Sequence, residues 1–388
     1  MKRLLMTAAL GIALGLMPSG AIAADTIVTG PVDRAGFQAL IDAANPGDTI
    51  SCLGGVYDFG SPGWVYLDKR LTIEAADPSD PPVLRGDGSI YTSFFSGNNG
   101  FTQRANSLIE GLTIQGLRFE DFDRALAFPW TFDATQPGCP QFPGAGLENL
   151  KVLDNTVHNS RRFIQIFNGP AEHFIVKGND VELIGGDVGI LVAGGALGCL
   201  ADGTMFDGVR PDHGMIQGNH VRGDFFAAFY IDGVERLSVK ENLVEGGFVG
   251  IAFWDNRALY FSDDGPIRLG SVKENVIDGA LFGIIAEGPT TITGAQIKDN
   301  QISGGLLGVL LDLGANGFEV KFNDFSGVGL AEVYLGLDED NLIPDGCGAG
   351  IDSDDFACAP ETYGNVVKVY EGDRVFDFGV DNEVKIGD

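Results

Sequence analysis

The stretches VKENLVEGGFVGIAF, from Val239 to Phe253, and VKENVIDGALFGIIA, from Val272 to Ala286, place the same residue types at the same positions. The Asn of the shared Glu-Asn pair recurs ahead of one or two apolar residues as Asn155, Asn179, Asn219, Asn242, Asn275, Asn300 and Asn323, at intervals of 24, 40, 23, 33, 25 and 23 residues. The two long intervals contain insertions, so the chain is a repeat of about two dozen residues. A unit that short cannot bury its apolar side alone and must stack on its neighbours.

Within each unit, short β-branched and aromatic runs such as GIAFW, GIIAE and GVLLD are separated by Gly, Asn and Asp, with hardly a helix-length amphipathic segment among them. About three short strands fit in one unit. Identical turns at identical positions stack each strand on its counterpart about 4.8 Å away. The expected fold is all-β, a right-handed parallel β-helix, the hand following from the bias of parallel crossovers. The recurrent Asn is then expected to bond the Asn of the coils above and below. A leucine-rich solenoid shares the repeat length, but its leucine pattern and helical segments are missing.

The segment DRAGFQALIDAANPGDTISCLGGVYDFG reads as an amphipathic helix from Gly36 to Ala44, a Pro-Gly-Asp turn, a strand and Gly-Gly-x-Tyr. With the coils from Leu112 to about Leu337, it resembles the N-terminal cap and first coil of right-handed parallel β-helix proteins of the pectate-lyase-like superfamily. That resemblance implies a helix plugging one end of the core, loop insertions on one side, and a polysaccharide as substrate or ligand. The organisation expected is a signal peptide at 1–23, a β-helix domain at 24–337 and a loop-rich C-terminal cap or tail at 338–388.

Met1-Lys2-Arg3, an uncharged run and Ala21-Ile22-Ala23 have the form of an export signal cleaved near Ala23, so the mature chain is expected to be secreted or periplasmic. The run is too short for a spanning helix, and membrane insertion is not expected. The formal net charge of -29 sets the chain against nucleic acid and anionic membrane. In an oxidising compartment Cys347 and Cys358 are the first candidates for a disulfide and Cys139 and Cys199 the second, with Cys52 left as a buried thiol.

Counting from each Asn, positions +9 and +11 are expected to face the core, including Ile251 and Phe253, Ile284 and Ala286, and Ala228 and Tyr230. Positions +10 and +12 then face outward and are mostly apolar, including Gln165, Phe167, Phe229, Ala252, Trp254, Ile285, Glu287, Leu310 and Asp312. Insertions at about 130–146, 196–212, 256–267 and 338–364 all follow this strand. Either they cover the apolar strip, or they wall a groove with Trp254, Phe229 and Phe167 on its floor and Trp130 and Tyr260 nearby to stack on sugar rings.

The chemistry expected on this face centres on acids at the turn leaving the strand. Asp232, Asp255 and Glu287 are candidate ligands for one Ca2+. Resemblance to Ca2+-dependent pectate lyases implies acidic ligands on stacked coils and an Arg or Lys base. Asp255 and Arg257 are then the catalytic candidates, with Arg210 as an alternative base. The competing reading is solvated turn acids. The ordered carboxylate motifs of polygalacturonase-like hydrolases are absent. His158, His173, His213 and His220 lack metal-ligand spacing and read as turn or surface residues. Arg124 and Arg162 occupy a position that is apolar in later coils, and either pair with acids such as Asp123 and Asp187 or line an anion pocket. The functional expectation is binding or modification of polysaccharide by a lyase, epimerase or hydrolase on the loop-bearing side. Its rival is a non-catalytic surface, adhesion or structural scaffold.

Overall fold

A computed structural model describes residues 25–60, 63–88, 98–104, 107–128, 146–167, 171–193, 198–199, 205–206, 211–254, 267–268, 270–287, 292–312, 315–336, 362 and 364–387. The strands wind as a parallel β-helix. A first sheet of 13 strands runs from Thr26–Thr29 at one end to Glu383–Gly387 at the other, and every pairing within it is parallel. A second sheet of 19 strands receives two strands per coil. Thus Ser238–Lys240 in the first sheet is followed by Leu243–Gly246 and Val249–Trp254 in the second, and the next coil repeats this as Ser271–Lys273, Val276–Asp278 and Phe282–Glu287. The residues expected in the tail, 364–387, continue the same two sheets, so the solenoid extends past 337.

The corner between the sheets explains the repeat. The residue before each Asn takes a left-handed conformation: Gly178 and Gly218 do so without a Cβ penalty, while Asp154, Glu241, Glu274, Asp299 and Phe322 do so at φ of 51–56°. The following Asn compensates for that strain. From Asn155 to Asn323, each side-chain amide donates to the Oδ1 of the next Asn at 2.8–3.0 Å, and that oxygen also accepts the backbone N–H of the Asn above. All seven are buried, which is tolerable only because the ladder pairs their polar atoms.

Inside the coil, Leu126, Ile164, Ile190, Phe229, Ile251, Ile284, Val309 and Val333 form one continuous apolar column by strand register, each fully buried. Each such side chain contributes roughly 1.5–3 kcal/mol. Gly250, Gly283 and Gly308 let adjacent coils approach, since a Cβ on Gly283 would stand 2.5 Å from the Gly308 carbonyl oxygen.

The capping helix runs Arg34–Ala43, two residues earlier than the pattern suggested, because the Asp33 side chain accepts the Gly36 N–H and starts it. Its Phe37 and Ile41 are fully buried, and Phe37 meets the rings of Tyr57, Phe59 and Phe101. The helix therefore plugs the open end of the core. Cys52 is a buried free thiol, which burial pushes up to about 12. No helix among the described residues is long and apolar enough to cross a membrane.

Candidate active site on the outward face of the second sheet

Strand alternation along Val249–Trp254 puts Ala252 and Trp254 on one outward face, and Val249 packs with Ala252 on that side. Register carries that face up and down the solenoid. Ala252 lies level with Tyr230 and Ile285, and Ile285 with Leu310. Ala227, Val249, Ala252, Ile285, Leu307, Leu310 and Ala331 form an apolar cluster distinct from the interior, packed with Tyr230, Phe282 and Tyr334. None of the seven is more than 8% exposed. Of the two expectations for this strip, burial rather than an open floor describes its middle.

One expected position is corrected. Phe229 is fully buried in the interior, level with Ile190 and Ile251, and Tyr230 faces outward in its place. The coil that begins at Asn219 carries one more residue before this strand than the coil at Asn242, and in a strand a one-residue offset moves every side chain to the opposite face.

The edge of the strip is where polar groups reach partial exposure. Asp232 is level with Trp254, and Trp254 with Glu287. The Asp312 N–H donates to the Ala286 carbonyl at 2.9 Å, which brings Asp312 beside Glu287. Tyr230, Asp232, Trp254 and Glu287 are half-buried, and Asp312 is buried. The Tyr230 and Trp254 rings stack with centroids 6.0 Å apart and planes inclined by 21°. Burial, and then the charge of Asp312, holds the Glu287 carboxyl up to about 7. An acid of that pKa both holds and releases a proton near neutrality, which is what general acid/base chemistry requires.

Asp232 and Glu287 stand on opposite sides of Trp254, two coils apart. Among the described residues no three His, Cys, Asp or Glu side chains are grouped to hold a metal ion. Asp255, Arg257, Arg210, Trp130, Tyr260, Cys139, Cys347 and Cys358 lie outside the described residues, as do the side chains of Phe167 and Cys199. Asp312 was legible as the counterpart of Glu287, since each follows its Asn by twelve positions, but its coupling to Glu287 is a tertiary fact.

Toward the N-terminal coils the same face carries a buried charge network. Arg124 lies 3.8 Å from Asp123, Arg161 lies 2.8 Å from Asp123 and 3.2 Å from Asp187, and Arg162 lies 2.8 Å from Asp187. Arg162 also donates to the Gln165 side-chain oxygen at 3.1 Å. Pairing with Asp123 and Asp187, the first of the two expectations, is what these arginines do. Burial pulls the Arg124 guanidinium down to about 10. The histidines occupy turns and surfaces: His158 pairs with Glu182, His220 with Glu245, and His173 stacks on His213.

No family model matches this chain, and no curated protein matches it by sequence. Solved structures do match. A tailspike protein mutant of E. coli bacteriophage HK620 in complex with a hexasaccharide aligns at TM-score 0.51 and 12% identity, over 92% of this chain and 62% of the tailspike. A family 28 exopolygalacturonase of Yersinia enterocolitica aligns at 0.47 and 13%, over 93% and 76% of the two chains. A mannuronic acid specific polysaccharide family 6 lyase from human gut microbiota aligns at 0.44 and 11%, over 93% and 83%. The likeness is one of fold. It agrees with the right-handed parallel β-helix built by the strand pairing, and the chemistry has to be argued from this chain's own residues.

Proposed function

We propose that this protein cleaves a polysaccharide by acid/base hydrolysis at the edge of the outward strip. Glu287 donates the proton to the leaving oxygen, Asp232 activates water from the far side, and the stacked rings of Tyr230 and Trp254 offer an aromatic face on which a sugar ring packs. Asp312 is a positioning residue whose charge keeps Glu287 protonated. The observation that carries this reading is the Glu287 carboxyl, held near neutrality beside Asp312 on the same outward column as Trp254. Two strand spacings, about 9.6 Å, separate the backbones of Asp232 and Glu287. Inverting glycosidases hold their two carboxyl groups roughly 6.5–9.5 Å apart to admit a water. A tailspike of the same fold was solved with a hexasaccharide, which supports a glycan as ligand. The segment Met1 to Ala23 supports action outside the cytoplasm.

The test is a panel of neutral and acidic polysaccharides incubated with the full chain, with Ca2+ or with chelator, following new reducing ends and the absorbance of unsaturated products. Hydrolysis predicts reducing ends without unsaturation, insensitive to chelator and lost in Glu287→Gln. Unsaturated products that vanish with chelator would replace this reading with Ca2+-dependent elimination through Asp255 and Arg257. The buried middle of the strip favours the rival, a non-catalytic glycan-binding or adhesive scaffold, and silence across the panel would establish that rival instead.

A further inference from the structure

We propose that the first sheet carries a second binding surface, on a different sheet from Trp254 and Glu287, for an extended carboxylated polysaccharide. Seven of the chain's ten lysines fall in one outward column of that sheet. Lys240, Lys273, Lys298, Lys321, Lys368 and Lys385 occupy six consecutive coils in direct register, and Lys177 joins them across Gln217. The spacing is one ammonium per coil, about 4.8 Å. In a chain of net charge -29 this concentration of like charge is not a product of composition.

The fold does not require lysine there. The same column in the first coils holds Ser51, Glu74, Gln115 and Leu153. Like charges in adjacent layers repel, and the chain relieves part of that repulsion with its own acids. Lys240 lies 3.9 Å from Glu241, Lys298 lies 2.9 Å from Asp299, and Lys321 and Lys385 pair with Glu319 and Glu383. The acids on the turn side then lapse. Where earlier coils place Glu241, Glu274 and Asp299 directly after the lysine, the next places Phe322, and the last two continue their strands with the buried Val369 and the exposed Ile386. Phe322 is 49% exposed, and the Lys298 ammonium sits 5.5 Å from its ring centre.

A straight row of cations beside exposed apolar surface is complementary to a linear polymer that repeats one carboxylate per sugar and presents apolar ring faces between them. The ion pairs now made to Glu241 and Asp299 are solvent-exposed and are exchanged for polymer carboxylates at little cost. The polysaccharide reading above supplies the choice of polymer. The lysine column would hold the chain while the other face acts on it.

The test is binding of fluorescently labelled carboxymethyl-cellulose to the full chain at two salt concentrations, with hydroxyethyl-cellulose as the uncharged control. The expected result is binding of the charged polymer alone. Lys273→Gln, Lys298→Gln and Lys321→Gln combined should weaken it at least tenfold and flatten its salt dependence. Glu241→Gln with Glu274→Gln should tighten it, a gain that misfolding cannot imitate. The proposal is overturned if the full chain does not prefer the charged polymer, or if the triple variant binds as the unsubstituted chain does. Product release in the panel above, lost in Glu287→Gln, judges the hydrolytic reading separately, so either can fail alone.

Discussion

The side-chain amide of Asn242 donates to the Oδ1 of Asn275 at 2.9 Å, and the same oxygen accepts the backbone N–H of Asn242 at 3.1 Å. Asn275 in turn donates to the Val239 carbonyl and to Asn300. One side chain thus satisfies two buried donors of one coil and ties them to the next. Replacing Asn275 with Ala leaves several buried polar groups unpaired, each costing about 1–3 kcal/mol. We expect a loss of at least about 3 kcal/mol in urea unfolding, with amide protection falling first in the coils on either side. Protection unchanged there would show that the ladder is incidental to stability.

Glu287 links the site to pH. Its carboxyl is raised from 4.5 to about 7, so the folded chain holds a proton that the unfolded chain releases earlier. Between those values the native state binds more protons, and stability falls as pH rises, with the full penalty present above about 7. Glu287→Gln should remove that decline and raise stability above neutrality by about 1–3 kcal/mol, read as flatter thermal melts between acid and neutral pH. Activity should be lost in the same variant. A variant more stable and still active would remove Glu287 from the chemistry.

Asp312 acts on Glu287 through its charge. Asp312→Asn should move the alkaline limb of the activity profile downward while leaving its maximum largely intact. An unmoved limb would leave Asp312 a purely structural residue.

The Tyr230–Trp254 stack predicts where sugar binds. Saturating oligosaccharide should perturb indole emission, and Trp254→Ala should abolish that change and weaken binding about tenfold, the equivalent of about 1.4 kcal/mol. An emission change that persists in the variant would place the sugar elsewhere.

The Asp123 network is a stability element. Asp123→Asn withdraws the counter-charge from the partly exposed Arg161 and from Arg124, whose pair with Asp123 sees almost no solvent, and removing one partner of a buried pair costs about 3–5 kcal/mol. The loss should be insensitive to added salt, because water and ions do not reach the pair. A shift of less than about 1 kcal/mol would mean that the network relaxes or hydrates.

The repeat of Asn at near-constant spacing determined the solenoid, its parallel strands and its Asn ladder, because a structure with one coil per repeat writes its hydrogen-bond period directly into the sequence. The helix at Arg34–Ala43 was legible for a similar local reason, its periodicity and cap lying within a dozen residues. Outward and inward positions were legible wherever the count from the Asn was constant, as at Ile251 and Ile284. Phe229 was misplaced because its coil carries one extra residue ahead of the strand within an interval from Asn219 to Asn242 of ordinary length, so no spacing error shows, and that residue inverts the face. Other relationships depend on residues far apart in the chain meeting across coils: Asp312 beside Glu287, Tyr230 on Trp254, and seven lysines aligned from separate repeats. Burial and proximity set the charge state of Glu287, and those are properties of packing that no single stretch of residues contains.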